Sequence, residues 1–197
     1  AIELGAKVVA CSDSNGYIYD PNGINLDTVK RLKEVENKRI SEYVKDHSNA
    51  IYSDQCSGIW SVPCDIALPC ATQNEIDEES AQLLVSNGVK AVGEGANMPS
   101  TLEAIEVFLQ NGVLFAPAKA ANAGGVSVSA LEMAQNSARL SWSFEEVDCK
   151  LQEIMKNIYR NSKEAAELYG APGNLVVGAN IAGFVKVADA MIAQGII

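Results

Sequence analysis

Histidine is almost missing: His47 is the only one in 197 residues. That excludes zinc sites built on two or more imidazoles. His47 closes the polar stretch Tyr43-Val44-Lys45-Asp46-His47 and is expected at the surface, outside any chemistry. The five cysteines, Cys11, Cys56, Cys64, Cys70 and Cys149, are odd in number and form no Cys-x-x-Cys pair. This excludes a disulfide framework and a thiolate metal site, and it suits a reducing cytoplasm. No unbroken apolar run reaches the roughly 18 residues that cross a membrane, and no signal peptide is visible. The expectation is a cytoplasmic protein with no membrane partner and no bound metal. Basic residues are few, 15 against 25 acidic ones, for a net charge of -10. Nucleic acid is therefore not an expected partner, because phosphate binding needs clustered cations. The acidity reads as a solvated surface.

What is present is an ordinary folded composition, 48% hydrophobic and 20% charged. The length suffices for one domain with a sizeable core and a terminal appendage. The first residues, Ala1-Ile2-Glu3-Leu4-Gly5, resemble the end of a helix with Gly5 as its left-handed cap. A single last turn is not stable alone, so the chain is expected to be part of a longer one.

Strands and helices then alternate. Strands are expected over 7–12, 50–53, 65–69, 89–93 and 113–116, and helices over 25–46, 77–87 and from Ser100 to Asn111. Ser100-Thr101-Leu102-Glu103 has the pattern of a capping box. Such alternation predicts parallel β-α-β units with helices on both faces of the sheet. The fold class is α/β, a doubly wound, Rossmann-like parallel sheet lacking its first strand, followed by a helical C-terminal segment. From Val126 onward the chain reads as helical. Ser143-Phe144-Glu145-Glu146 is a second capping box, and Phe144, Val147, Leu151, Ile154, Met155 and Ile158 form one apolar face. A break at Tyr169-Gly170-Ala171-Pro172-Gly173 precedes a final helix over 176–193.

Ligands of such folds sit beyond the carboxyl ends of the strands. Asp13, after the first strand, is placed to accept from ribose hydroxyls, but Ser12-Asp13-Ser14-Asn15-Gly16 is equally good turn chemistry. The next strand ends are Pro69-Cys70-Ala71-Thr72-Gln73-Asn74, Glu94-Gly95-Ala96-Asn97-Met98-Pro99 and residues 117–125, which include Asn122. Small residues permit close approach to a ligand, and carboxamides both donate and accept. Three such loops predict a nucleotide site. Lys119 and Glu94 are tempting as catalysts, yet a structural or cofactor-proximal lysine and a loop-anchoring glutamate are the expected roles.

These loops, together with Asn122-Ala123-Gly124-Gly125-Val126, Leu131-Glu132-Met133-Ala134-Gln135-Asn136, residues 178–184 and Ala188-Asp189-Ala190-Met191, resemble signature stretches of hexameric glutamate dehydrogenases along the whole chain. The resemblance implies a cofactor-binding domain over residues 1–174. It also implies a helix over 175–197 that returns toward a substrate domain carrying the catalytic lysine and aspartate, so no catalytic residue is assigned here. It implies reversible oxidative deamination of L-glutamate to 2-oxoglutarate and ammonia, with hydride passing to NAD(P), in a homohexamer. Asp13 and Ser14 would lie near the adenosine ribose or its 2'-phosphate, Ala71 and Thr72 along the dinucleotide, and Asn97 and Asn122 near the nicotinamide. Val126 and Ser129 would contact the glutamate side chain, although Ser129 also reads as a small helix-packing residue. Ser12-Asp13-Ser14 favours NADP, with NAD not excluded. Glu36 is unfavourable beside a phosphate, which leaves Lys38 or Arg39 to supply the charge. The alternatives are a catalytically silent nucleotide-binding module and a related dehydrogenase acting on apolar amino acids.

Overall fold

The computed structural model describes residues 1–195. Its strands form two sheets rather than one. β1 (Ala10–Asp13), β2 (Gly16–Tyr19) and β3 (Ile51–Ser53) make an antiparallel sheet in that order. β4 (Ile66–Ala67), β5 (Ala91–Gly93) and β6 (Leu114–Ala116) make a parallel one. The fold is thus mixed α/β with a three-stranded parallel sheet, and the single doubly wound sheet expected from the alternation is corrected to two. β1 turns straight back into β2, pairing Asp13 with Gly16 across the two-residue turn Ser14-Asn15. Asn-Gly before the β-formers Tyr17-Ile18-Tyr19 is the hairpin signal that the β-α-β reading passed over.

The helix expected over residues 25–46 is also broken. α1 (Leu26–Lys30) starts at Asn25, whose side chain accepts from Thr28 N. It runs into a π-helical turn at Arg31–Val35 and stops at Asn37, which is left-handed (φ 51). The chain then delivers the N–H of Ile40 to the Asp13 carboxylate before a 3-10 turn and the short α2 (Tyr43–Asp46). His47 is half-buried rather than free at the surface. Its ring stacks on Tyr43 at 4.2 Å and its Nε2 lies 3.0 Å from Thr28 Oγ1.

α3 (Glu78–Ser86) and α4 (Leu102–Gln110) cover one face of the parallel sheet. Strand residues alternate sides, so Ala67, Val92 and Phe115 point into a core with Ala81, Leu84, Ala104 and Phe108. Their neighbours face the other way: Ile66 is 55%, Leu68 53% and Leu114 73% exposed. A cleft of about 570 Å³ opens over that second face, between the strands and Tyr159, Pro172 and Leu175. Parallel sheets are ordinarily covered on both faces; here the second face is only partly covered. A smaller core of Ile18, Ile24, Leu32, Ile40 and Tyr43 lies under the antiparallel sheet.

α4 begins one residue later than its sequence pattern suggests. Thr101 is the cap, its hydroxyl accepting from Ala104 N, while the Ser100 hydroxyl is buried without a partner and its N–H donates to Glu94. α5 (Ala118–Ala121), α6 (Ala123–Ala138), α7 (Phe144–Leu168) and α8 (Leu175–Gln194) complete the chain. The capping box at Ser143 forms with Glu146. The apolar face of α7 packs against α6, where Leu151 and Met155 approach Gly124; its first member, Phe144, is 81% exposed. α8 crosses α7 so closely that a Cβ on Gly178 would sit 2.0 Å from Ser162 O. Asn180, Lys186 and Asp189 interrupt any unbroken apolar run, yet α8 is long and apolar enough to cross a membrane, with mean hydropathy 1.7. Among the described residues, none cluster as a metal site.

Candidate functional site

Because β4, β5 and β6 run parallel, their carboxyl ends lie at one rim, and the loop that leaves each is tied to the next. Gly95 N and Ala96 N both donate to Pro69 O, at 2.9 and 3.1 Å, joining the β5 loop to the β4 loop. Asn74 N donates to Met98 O at 2.9 Å, and Ile76 bridges Ser100. Gly95 is needed for this approach, since a Cβ there would stand 2.5 Å from Cys70 Sγ. Glu94 N donates to Ala116 O. Asn122 Nδ2 donates to Ala96 O at 3.1 Å and to Asn97 Oδ1 at 2.7 Å. Asn97 and Asn122, 25 residues apart, are therefore in direct contact. Ala71 and Thr72 are exposed on the adjoining β4 loop, where Ala71 N donates to Glu75 Oε1.

Lys119 reaches across to α8. Its ammonium donates to Asn180 Oδ1 at 2.6 Å, linking the rim to α8. Glu94 is buried, with both oxygens accepting from backbone N–H groups. That geometry is the one of a loop anchor. Asn122 leads directly into α6, on which Val126 and Ser129 are exposed one turn apart.

Asp13 and Ser14 belong to the antiparallel sheet instead. The Asp13 carboxylate accepts from Lys33 Nζ at 2.9 Å, Ile40 N at 3.0 Å and Asn15 N at 3.0 Å. Burial opposes its charge, but these donors prevail and hold the carboxyl below its usual range. Asp13 in turn helps burial push the Cys11 thiol up to about 11. Ser14 Oγ accepts from Arg39 Nη1 at 2.8 Å. Lys38 and Arg31 both pair with Glu36 and lower its pKa; Arg31 also pairs with Asp46. Of the two cations left open by the sequence, Arg39 is the one beside Ser14. Lys33, absent from the sequence-derived site, reaches Asp13 from the π-helical turn that follows α1, a contact across 20 residues with no local signal.

The sequence model of the glutamate/leucine/phenylalanine/valine dehydrogenase family matches residues 1–195. The chain belongs to this family. Among its relatives in the family are the NADP-specific glutamate dehydrogenase of Haemophilus influenzae, 54% identical over 100% of this chain and 44% of the relative, and a glutamate dehydrogenase of Bacteroides thetaiotaomicron, 57% identical over 100% of this chain and 44% of the relative. The glutamate dehydrogenase structure of Plasmodium falciparum superposes with a TM-score of 0.93 at 49% identity, over 100% of this chain and 43% of that one. The chain thus spans less than half the length of the dehydrogenases it matches.

Proposed function

We propose that this chain is the cofactor-binding part of an NADP-dependent glutamate dehydrogenase. The observation that carries the proposal is the Asn97–Asn122 contact at the carboxyl rim of a parallel sheet, in a chain of this family. The half-covered face and free edge of that sheet support a further strand and helix packing there, and the relatives are more than twice the length that this chain matches.

The residues present fit a 2'-phosphorylated dinucleotide. At the adenosine end, Arg39 and the Ser14 hydroxyl offer an exposed cation and a donor suited to a phosphate ester. Asp13 keeps one carboxylate oxygen with a single donor, so it can still accept from a ribose hydroxyl. Ala71 and Thr72 leave the β4 loop low and polar along the dinucleotide. Asn97 and Asn122 together present a carboxamide oxygen and amide donors to the nicotinamide ribose and carboxamide. Val126 and the Ser129 hydroxyl face the γ-carboxylate side of bound glutamate. The bound dinucleotide supplies the hydride acceptor; the catalytic lysine and aspartate come from the substrate domain. The proposal extends to residues 1–174 as the cofactor domain, to α8 covering the substrate domain with its apolar side, to assembly as a homohexamer, and to a cytoplasmic setting. The names of relatives such as that of Haemophilus influenzae, an NADP-specific glutamate dehydrogenase, support the choice of cofactor and substrate.

Calorimetry with NADP, NAD and 2',5'-ADP tests the cofactor reading. NADP is expected to bind more tightly than NAD, with the preference falling by about tenfold in Arg39→Ala. An unchanged preference moves the phosphate site elsewhere, and no heat with any of the three sinks the reading. For the parent enzyme, turnover of leucine or valine in place of glutamate would overturn the substrate.

A further inference from the structure

Beneath the asparagine pair lies a carboxylate that the proposed chemistry does not use. Glu94 is 3% exposed. Its Oε1 accepts from Ser100 N at 3.1 Å and its Oε2 from Ala118 N at 2.7 Å. A buried carboxylate is costly unless donors replace the lost water. Here the donors are main-chain N–H groups of two separate loops, and each loop carries one member of the pair. The bond to Ser100 closes the loop of residues 94–100, which holds Asn97. Ser100 takes part through its backbone alone, since its hydroxyl is buried without a partner. The bond to Ala118 holds the first residue of α5, the single turn that Asn122 caps through its own N–H to Ala118 O at 3.0 Å.

We infer that Glu94 is a positioning residue: it joins the loops at 94–100 and 117–122 at the one spacing that lets Asn122 Nδ2 reach Asn97 Oδ1. The use of that pair at the nicotinamide end rests on the function proposed above; the positioning does not. Other ties cross this rim: Gly95 and Ala96 bond to Pro69, Asn74 to Met98, Glu94 N to Ala116 O at the base of the two loops, and Asn122 Nδ2 to Ala96 O directly between them. None links residue 118 to residue 100. The Glu94 side chain is the bridge between those two N–H groups.

Glu94→Gln tests this on the whole chain. One oxygen becomes an NH2 group, which cannot accept from a main-chain N–H, so one of the two supports is lost. The readout is proton exchange of the Asn122 side-chain amide by NMR, with the Asn87 side-chain amide, bonded to Ser61 O at 2.8 Å, as an internal reference. Exchange at Asn122 is expected to accelerate about tenfold or more, as for the loss of one hydrogen bond, while Asn87 stays unchanged. Glu94→Asp keeps the charge but is one methylene too short to span Ser100 and Ala118, and the same acceleration is expected of it. Unaltered exchange at Asn122, or equal acceleration at Asn87, overturns the inference. Failure of both variants to fold assigns Glu94 to stability alone and overturns it too. A calorimetric arm extends the test to the ligand. Glu94→Gln should weaken NADP and leave 2',5'-ADP, which has no nicotinamide, unaffected; equal weakening of both counts against the positioning role. If the unaltered chain binds no NADP, the proposed function fails and the exchange result still stands.

Discussion

The two sheets hold their candidate site residues by different means. At the antiparallel sheet, charged side chains do the holding: Asp13 gathers Lys33, Ile40 and Asn15, while Arg39 reaches Ser14. At the parallel sheet the loops are laced by backbone groups, one buried carboxylate and two carboxamides. The first arrangement responds to pH and salt, because its partners are ionised and partly exposed. The second depends on packing beneath it, since its donors stay in place only while the strands and helices do. The side chains grouped around Asp13 are charged, whereas the Asn97–Asn122 pair at the rim is uncharged.

Removing packing should have the largest effect, and only on the parallel side. Phe108 is fully buried and stacks on Phe115 at 5.8 Å. Phe108→Ala is expected to cost about 3–5 kcal/mol in denaturant unfolding. A cost below 1 kcal/mol would mean the parallel sheet does not rest on that core.

Next in size is Asp13→Ala, expected to lose about 1–3 kcal/mol by leaving Ile40 N and Lys33 without their acceptor. The pH dependence has a definite sign. The folded carboxyl titrates below the ordinary aspartate value of 3.8, so its contribution is complete above that value and is lost as pH falls through the lower folded one. Urea midpoints of the wild type and Asp13→Ala should therefore differ at pH 7 and converge at low acid pH. A difference that persists in acid would show that the carboxylate charge is not what matters.

Ser143→Ala lies outside both sheets and breaks the capping box that starts α7, at a cost of about 1 kcal/mol. It should leave ligand binding at either sheet unchanged. The smallest effect concerns reactivity. The Cys11 thiol, pushed up to about 11 by burial and Asp13, should be the last of the five thiols to react with a thiol reagent at pH 8, and the exposed Cys56 and Cys149 the first. Early labelling of Cys11 would indicate that the hairpin opens.

The parallel half of the fold was legible in the sequence because its signals are local. Asn87-Gly88 and Asn111-Gly112 stop helices, and short apolar runs between them make strands. The rim residues Asn97 and Asn122 followed from the same rule, as residues at strand ends. In the antiparallel half the sequence marks the strands near residues 7–12 and 50–53 but predicts one long helix and parallel pairing between them. A tertiary contact, Ile40 N to Asp13, decides its shape there, and no 3.6-residue period records a contact across 27 positions. Likewise the sequence left Lys38 and Arg39 equal, and only the pairing of Lys38 with Glu36 separates them.

The crossing at Gly178 has a mechanical corollary. With no side chain to separate α7 from α8, the two backbones touch, and two residues further on Asn180 receives the Lys119 ammonium. The contact point works as a fulcrum. Any larger residue there would pry α8 outward and pull on Lys119, and so on the turn that Asn122 caps.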